Sequence, residues 1–316
     1  MSKKEAKVAV YDEHGAYKKD IVPGDHKSIW TPGQIILVVI VFLISLTCLL
    51  PFLNIIALSL SSKSAILGNR VTFLPVEFTT STYKMLFGNS EMIDSLFYTV
   101  EITLIYTVFA MILTILMAYP LTKKRLKGRG FFSFLALFTM YFSGGTIPIF
   151  LNIKELGILN TMWSLILPGM LSTYNMIIMK SFFATIPESL EEAATIDGAN
   201  DFQILVRVYL PLSLASIATL TLFYAVGKWN SFQDALYYIT DRNLQPLQLK
   251  LYMAIKGAQN AIDPTEGAGG STAAANEAAE SIKYATIVFA TLPILVVYPF
   301  VQRYFVSGVT IGAVKG

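Results

Sequence analysis

Long apolar runs recur along this chain, separated by shorter polar segments. At 1.5 Å of rise per residue, about 20 apolar residues cross the roughly 30 Å hydrocarbon core of a bilayer. Six runs reach that size class, at about 35–60, 96–121, 131–151, 162–183, 212–236 and 284–301. The pattern predicts an all-α membrane protein with six transmembrane helices. Pro51 and Asn54 predict a kink in the distal third of the first run. Ser143-Gly144-Gly145-Thr146-Ile147-Pro148 breaks the third near its outer end, either as a bend at an external gate or as ordinary helix-end punctuation. Tyr174 and Asn175 lie inside the fourth. The fifth carries Lys228-Trp229-Asn230 and Asp234 near its outer end. Lys228 is expected to snorkel to the outer interface with Trp229 in the aromatic belt; the alternative is an ionisable group facing a cavity or a partner. Pro293 and Pro299 predict a sixth span that is kinked but unbroken.

The polar segments differ in kind. Residues 1–32 form a mixed-charge tail, too long to be the n-region of a signal peptide. Residues 61–95 read as a Pro- and Gly-punctuated loop with a short amphipathic helix at Thr82–Phe87. Residues 152–160 read as a short turn. Residues 237–283 read as a long outer loop, flexible at Gly267–Thr272, with an Ala-rich helix at Ala273–Lys283 that pairs Glu280 with Lys283. Residues 304–316 are apolar with glycines and short, so they are expected to lie against a partner.

The one long polar island between the later runs spans 187–211. Pro187 and Glu188 suit a first helical turn, where a missing N–H is harmless and a negative charge meets the positive end of the dipole. Leu190, Ala193, Ala194 and Asp197 then fall at i, i+3, i+4, i+7, with Gly198 as the stop. Asn200 or Asp201 caps a second helix, which is expected to end before Pro211. The result is a two-helix elbow shaped to be gripped from outside.

Charge orients the spans. The short loop Thr122-Lys123-Lys124-Arg125-Leu126-Lys127-Gly128-Arg129 holds five cations and no acid, so the positive-inside rule places it in the cytoplasm. Both termini and the elbow then follow to the same side. Of the 24 Lys and Arg residues, 15 fall inside and 8 outside, with Lys228 in a span. The elbow itself is acidic: Glu188, Glu191, Glu192, Asp197 and Asp201 stand against Lys180 and Arg207. Such a loop makes sense if it meets a basic protein surface rather than lipid.

Composition narrows the function. Charged residues make up 14% of 316, against about 25% in soluble domains. A net charge of +3 is too small and dispersed for nucleic acid. The single cysteine, Cys48, and two histidines, His14 and His26, both in the tail, leave no thiolate metal site and no nucleophile–histidine pair. There is no phosphate loop and no dinucleotide fingerprint, so energy must come from another chain. An ion-coupled secondary transporter would want buried acids, yet only Glu101 and Asp234 offer themselves, both near helix ends.

The elbow resembles the EAA loop of ABC-transporter permeases. The motif runs Glu192-Ala193-Ala194, Gly198, Val208, Leu210-Pro211, with Val208 where the family pattern has Ile. The ending from Gln302-Arg303-Tyr304-Phe305-Val306-Ser307-Gly308 to Gly316 resembles that of maltose-transporter small-subunit permeases. Ala273-Ala274-Ala275-Asn276-Glu277 with Lys283-Tyr284-Ala285-Thr286 points to the subgroup of complex oligosaccharide, lipoprotein-named and alginate-type permeases.

The resemblance implies a bacterial cytoplasmic-membrane permease with the transmembrane domain at 33–303, a coupling loop at 187–211 and a cytoplasmic tail at 304–316. It implies import of a carbohydrate, an oligosaccharide in this subgroup, with other ABC solutes as the alternative. The implied partners are a homologous second permease, two ABC ATPase subunits that bind the ATP, and an extracytoplasmic solute-binding protein. The chain is then no enzyme and needs no cofactor or metal of its own. Coupling to the ATPase falls on Glu191, Glu192, Ala193, Ala194, Asp197, Gly198, Leu210 and Pro211. Phe223, Tyr224, Trp229 and Asn230 are the candidates for the substrate path, because sugars are held by aromatic faces and amide hydrogen bonds.

Overall fold

The structure, a computed structural model, describes residues 10–11, 17–18, 32–262 and 282–299. The chain divides into two compact units, 1–53 and 54–316, described here in turn.

In the first unit, Val10–Tyr11 (β1) and Tyr17–Lys18 (β2) pair antiparallel. The rest of its described part belongs to α1, Pro32–Ser59, which continues past the unit boundary. This helix is apolar on every side, and its Ile, Leu, Val and Phe side chains from Ile35 to Ile44 are exposed, as expected where the solvent is lipid. Its hydroxyls turn back on the helix: Ser45 Oγ donates to the Val41 carbonyl at 2.8 Å and Thr47 Oγ1 to Leu43 at 2.9 Å. Pro51 lies within an unbroken helix.

The second unit begins with two short helices, α2 (Lys63–Leu67) and α3 (Ser81–Gly88), before α4, Ser90–Thr122. The expected amphipathic helix is thus α3, one residue longer at each end; α2 is an addition. After α4 come α5 (Arg129–Tyr141), α6 (Thr146–Glu155), α7 (Met162–Ile166) and α8 (Thr173–Phe183). The elbow supplies α9 (Glu188–Ile196), α10 (Asp201–Ile204), a π-helical turn at Leu205–Tyr209, and α11 (Leu210–Leu212). Then come α12 (Leu214–Trp229), α13 (Gln233–Tyr238), a 3-10 turn at Arg242–Leu244, α14 (Leu247–Ile262) and α15 (Ile282–Pro299).

The core sits on α4. Ser95, Thr99, Thr103, Thr107, Ala110, Thr114 and Ala118 recur every three or four residues and are all buried. Such a seam of small side chains lets neighbouring helices approach closely, the usual basis of helix packing in lipid. Met176, Met179 and Phe183 of α8, with Leu220 and Tyr224 of α12, pack against its second half. Tyr224 fastens all three elements. Its hydroxyl lies 2.6 Å from Thr114 Oγ1 and accepts the Ser172 backbone N–H, just ahead of α8, at 3.1 Å.

Among the described residues, three helices are long and apolar enough to cross a membrane, α1, α4 and α15, and two further pairs qualify only as bent spans. Apart from the β1–β2 pair the described fold is helical and of membrane type, with three to five crossings by length and composition. The break expected in the run 131–151 is present, nearer its middle than its outer end: α5 and α6 meet at 111° across residues 142–145, where Gly145 takes φ +88°. Three other sequence expectations need correction. The run 162–183 is two short helices, because Pro168 and Gly169 (φ +72°) interrupt it. The run 212–236 stops helically at Trp229 and restarts as α13 at Gln233. The loop 237–283 contains the sixteen-residue helix α14, whose Leu247 and Leu249 are fully buried. The flexible stretch 267–272, most of the helix expected at 273–283, and the tail 304–316 lie outside the described residues, as does most of the N-terminal tail.

Candidate functional site

The elbow is built from local rules. Helix α9 carries Glu188 and Glu191 in its first turn and ends in a Schellman arrangement: Ala199 N–H bonds to the Ala194 carbonyl and Gly198 N–H to Thr195, both at 3.0 Å. Gly198 stands at φ +81°, where a side chain is strained whatever the space around it. Asn200, rather than Asp201, caps α10. Its side chain accepts from Gln203 N at 2.9 Å, and Gln203 Oε1 accepts from Asn200 N at 2.9 Å, a full capping box.

The second helix does not end before Pro211. Leu210 keeps helical dihedrals (φ −63°, ψ −47°) and the path stays helical to Leu212. The π turn accounts for this. Leu210 N–H reaches the Leu205 carbonyl, five residues back. That wider turn moves the carbonyl that a proline ring would otherwise strike. The break comes at Ser213, and Asp201–Leu212 meets α12 at 85°.

The π turn also aims Tyr209 at α9. Its hydroxyl donates to Glu191 Oε2 at 2.8 Å, and Lys123 Nζ, from the residue that caps α4, lies 2.6 Å from the same oxygen. Lys123 Nζ sits between two aromatic faces, 4.1 Å from the Tyr119 centroid and 4.0 Å from that of Tyr209. Those two rings are themselves edge-to-face at 5.0 Å, and Phe183 packs edge-on to both. Burial pushes the Lys123 ammonium below its ordinary value, against the pull of Glu191. Burial pushes Glu191 up, but hydrogen bonds from Lys123 and Tyr209 and the charges of Lys123 and Arg125 outweigh it, leaving the carboxyl below the usual range. Two exposed ion pairs flank this cluster: Lys124–Glu188 at 2.6 Å, and Arg125 with Asp201.

The basic surface that the acidic loop needs is thus partly in the same chain. Glu188, Glu191 and Asp201 are met by the 123–125 run. Glu192 and Asp197 face out and form no ion pair among the described residues. The predicted coupling residues divide accordingly. Glu191 and Ala194 turn inward, Ala194 onto the α4–α8–α12 core with Leu210. Glu192, Ala193, Asp197, Gly198 and Pro211 are exposed. Ile196 and Phe202, apolar residues on this polar element, are 86% and 67% exposed. So Ala193 and Ala194 do not act on one face as the spacing suggests. Lys123, Arg125, Tyr119 and Tyr209 were not legible as site residues; the Lys-Lys-Arg run spoke only to orientation.

The path candidates also divide. Tyr224 and Trp229 are buried in this chain, Trp229 Nε1 donating to the Ala290 carbonyl at 3.2 Å. Phe223 and Asn230, with Gly227 between them, share an exposed face of α12 at i, i+4, i+7. Lys228 does not snorkel outward, nor does Trp229 stand in an aromatic belt. The Lys228 ammonium donates to the Leu165 carbonyl, lies 3.6 Å from Asp234 Oδ2, and stands 5.0 Å from the Tyr106 centroid. The Leu165 carbonyl belongs to a five-residue helix too short to supply its own donor, and it offers the cation a better partner than lipid headgroups.

Comparison with known proteins agrees with this architecture. Residues 93–311 match the family described as the binding-protein-dependent transport system inner membrane component. The polygalacturonan/rhamnogalacturonan transport system permease protein YtcP of Bacillus subtilis (strain 168) is 42% identical over 275 residues, covering 86% of this chain and 94% of its own. Protein LplC of the same organism is 42% identical over 278 residues, covering 85% and 90%. The crystal structure of a bacterial ABC transporter involved in the import of the acidic polysaccharide alginate superposes with a TM-score of 0.77 at 34% identity, covering 86% of this chain and 95% of that one.

Proposed function

The chain belongs to the family of binding-protein-dependent transport system inner membrane components, and we propose that its elbow is where separate ATPase subunits drive transport. Within that family it is a permease subunit of an ABC importer of sugars in the cytoplasmic membrane. The observation that carries the proposal is the two-sided elbow. Its inner face is fixed to the end of α4 by Lys123, Glu191 and Tyr209. Away from those contacts the elbow leaves Ile196 and Phe202 largely exposed, with the carboxylates of Glu192 and Asp197 exposed as well. Such side chains fit a cleft on a partner that offers apolar contact and a cation for Glu192.

In this reading the chain crosses the membrane six times, the bent segments included, with both termini and the elbow in the cytoplasm. A second, homologous permease completes the path, two ATPase subunits bind the ATP, and an extracytoplasmic binding protein delivers the solute. The substrate is an oligosaccharide of an acidic polysaccharide, the class named for YtcP and for the alginate importer. Phe223 and Asn230 line the path from this side, an aromatic face beside an amide. ATP-driven closure of the ATPase pair displaces the elbow, and the inner contacts pass that displacement to α4.

Glu192→Lys and Gly198→Asp test the docking role. Both are expected to leave the permease in the membrane while transport falls at least tenfold relative to ATP hydrolysis. Wild-type transport by the assembled variants would remove the elbow from the coupling path.

A further inference from the structure

The cations at the inner end of the bundle are unequally served. Lys123, Lys124 and Arg125 each have a carboxylate partner. Lys180 and Arg129 have none within 4.0 Å among the described residues. Among the described residues Lys180, in the last turn of α8, donates to Ser133 Oγ at 3.1 Å, and Arg129, the first residue of α5, stands one helical turn before Ser133 on the same face. Two unneutralised cations at neighbouring helix ends are unfavourable unless an anion joins them.

A groove of about 250 Å³ opens between α5 and α8 at Lys180. Leu137, Met176, Ile177 and Ala184 form its apolar wall, and Lys180, Ser133 and Ser181 its polar edge. An apolar slot edged by the Lys180 ammonium and two hydroxyls, with Arg129 one turn further along α5, matches a molecule with an anionic head and a hydrocarbon tail. Basic pockets between membrane helices on the cytoplasmic side take such lipid headgroups.

We propose that this groove holds an anionic phospholipid of the cytoplasmic leaflet, its phosphate on Lys180 and Arg129 and part of an acyl chain along Leu137 and Met176. The site rests on the cytoplasmic placement of the elbow given above. A lipid there would brace α5 against α8 close to where α8 runs into the elbow.

The test uses the whole transporter in nanodiscs of phosphatidylglycerol and phosphatidylcholine, with retained lipid counted by native mass spectrometry. Wild type is expected to keep phosphatidylglycerol in preference to phosphatidylcholine. Lys180→Gln and Arg129→Gln should each weaken that retention about fivefold. Leu137→Trp, which fills the groove and leaves both cations, should abolish it. Lys127→Gln, at an exposed cation away from the groove, should change nothing. Equal retention in wild type and the Lys180 and Arg129 variants overturns the proposal. So does displacement by glycerol phosphate alone, which would mark a site for a free anion, or a Leu137→Cys cross-link to the second permease, which would make the groove a protein interface. Labelling of Ser181→Cys separates the two readings. Labelled from outside, the topology fails and takes the lipid site with it; labelled from inside with retention unchanged, the lipid site fails alone.

Discussion

Lys123 decides how the elbow is held. Its side chain is 9% exposed and that of its partner Glu191 19%, so the pair is shielded far more than the flanking Lys124–Glu188 bridge. Exposed bridges contribute about 0–1 kcal/mol, and Lys124–Glu188 belongs in that class. Breaking a shielded pair from one side leaves a charge uncompensated, at a cost of about 2–4 kcal/mol here, whereas replacing both partners by apolar groups is far milder. Lys123→Met and Glu191→Leu should therefore each lower thermal stability of the purified permease more than the double variant does. Additive losses would show that the two do not act as a pair. The pH dependence follows from Glu191. Its folded carboxyl titrates below the ordinary value of 4.5, so its contribution is complete above that value and is lost as pH falls through the lower, folded one. Elbow protection in hydrogen exchange should persist to pH 4.5 and fail below it, and Glu191→Gln should remove that transition.

At the scale of elements, polar punctuation and apolar periodicity carried unequal information. The elbow was readable almost residue by residue, because Gly198, Asn200 and the first-turn acids act through local backbone chemistry. The long apolar helices were readable from run length alone. Pro168-Gly169 was a visible break within the fourth run, but continuous hydropathy masked it. Helix α14 was missed because Leu247, Leu249 and Leu251 alternate like an extended segment, while its first turn is set by a distant residue: Leu247 N–H donates to Thr99 Oγ1 at 2.8 Å. No local signal shows a helix begun by a contact 148 residues away. The π turn was hidden for a similar reason, since the residue before a proline ordinarily leaves the helix. Tyr224 belongs to this scale too, as a clamp joining α4, α8 and α12. Tyr224→Phe should lower stability by about 1–2 kcal/mol through the Ser172 N–H and Thr114 hydroxyl left without a partner, with sugar preference unchanged. Altered preference at unchanged stability would place Tyr224 on the path instead.

At the scale of the whole molecule, the permease is half of a mechanism. The exposed face of α12 with Phe223 and Asn230 is the one proposed for the path, and the outer face of the elbow the one proposed for the ATPase. Alanine at Phe223 and Asn230 together should reduce uptake of the sugar substrate several-fold while ATP hydrolysis stays coupled; unchanged uptake and preference would take that face off the path. Charge set the expected sidedness, yet it did not reveal that the basic loop and the acidic elbow bind each other, since residues 68 positions apart in the sequence carry no mark of pairing. The central claim is that the elbow meets an ATP-hydrolysing partner through its outward face. A cysteine at Ile196, in the assembled transporter in membranes, tests it most directly. The account predicts a cross-link to the ATPase subunit, with an efficiency that changes on ATP binding, and none from a cysteine at Ala194. Cross-linking of Ile196→Cys only to lipid or to an extracytoplasmic protein, or its labelling from the outer face, would contradict it.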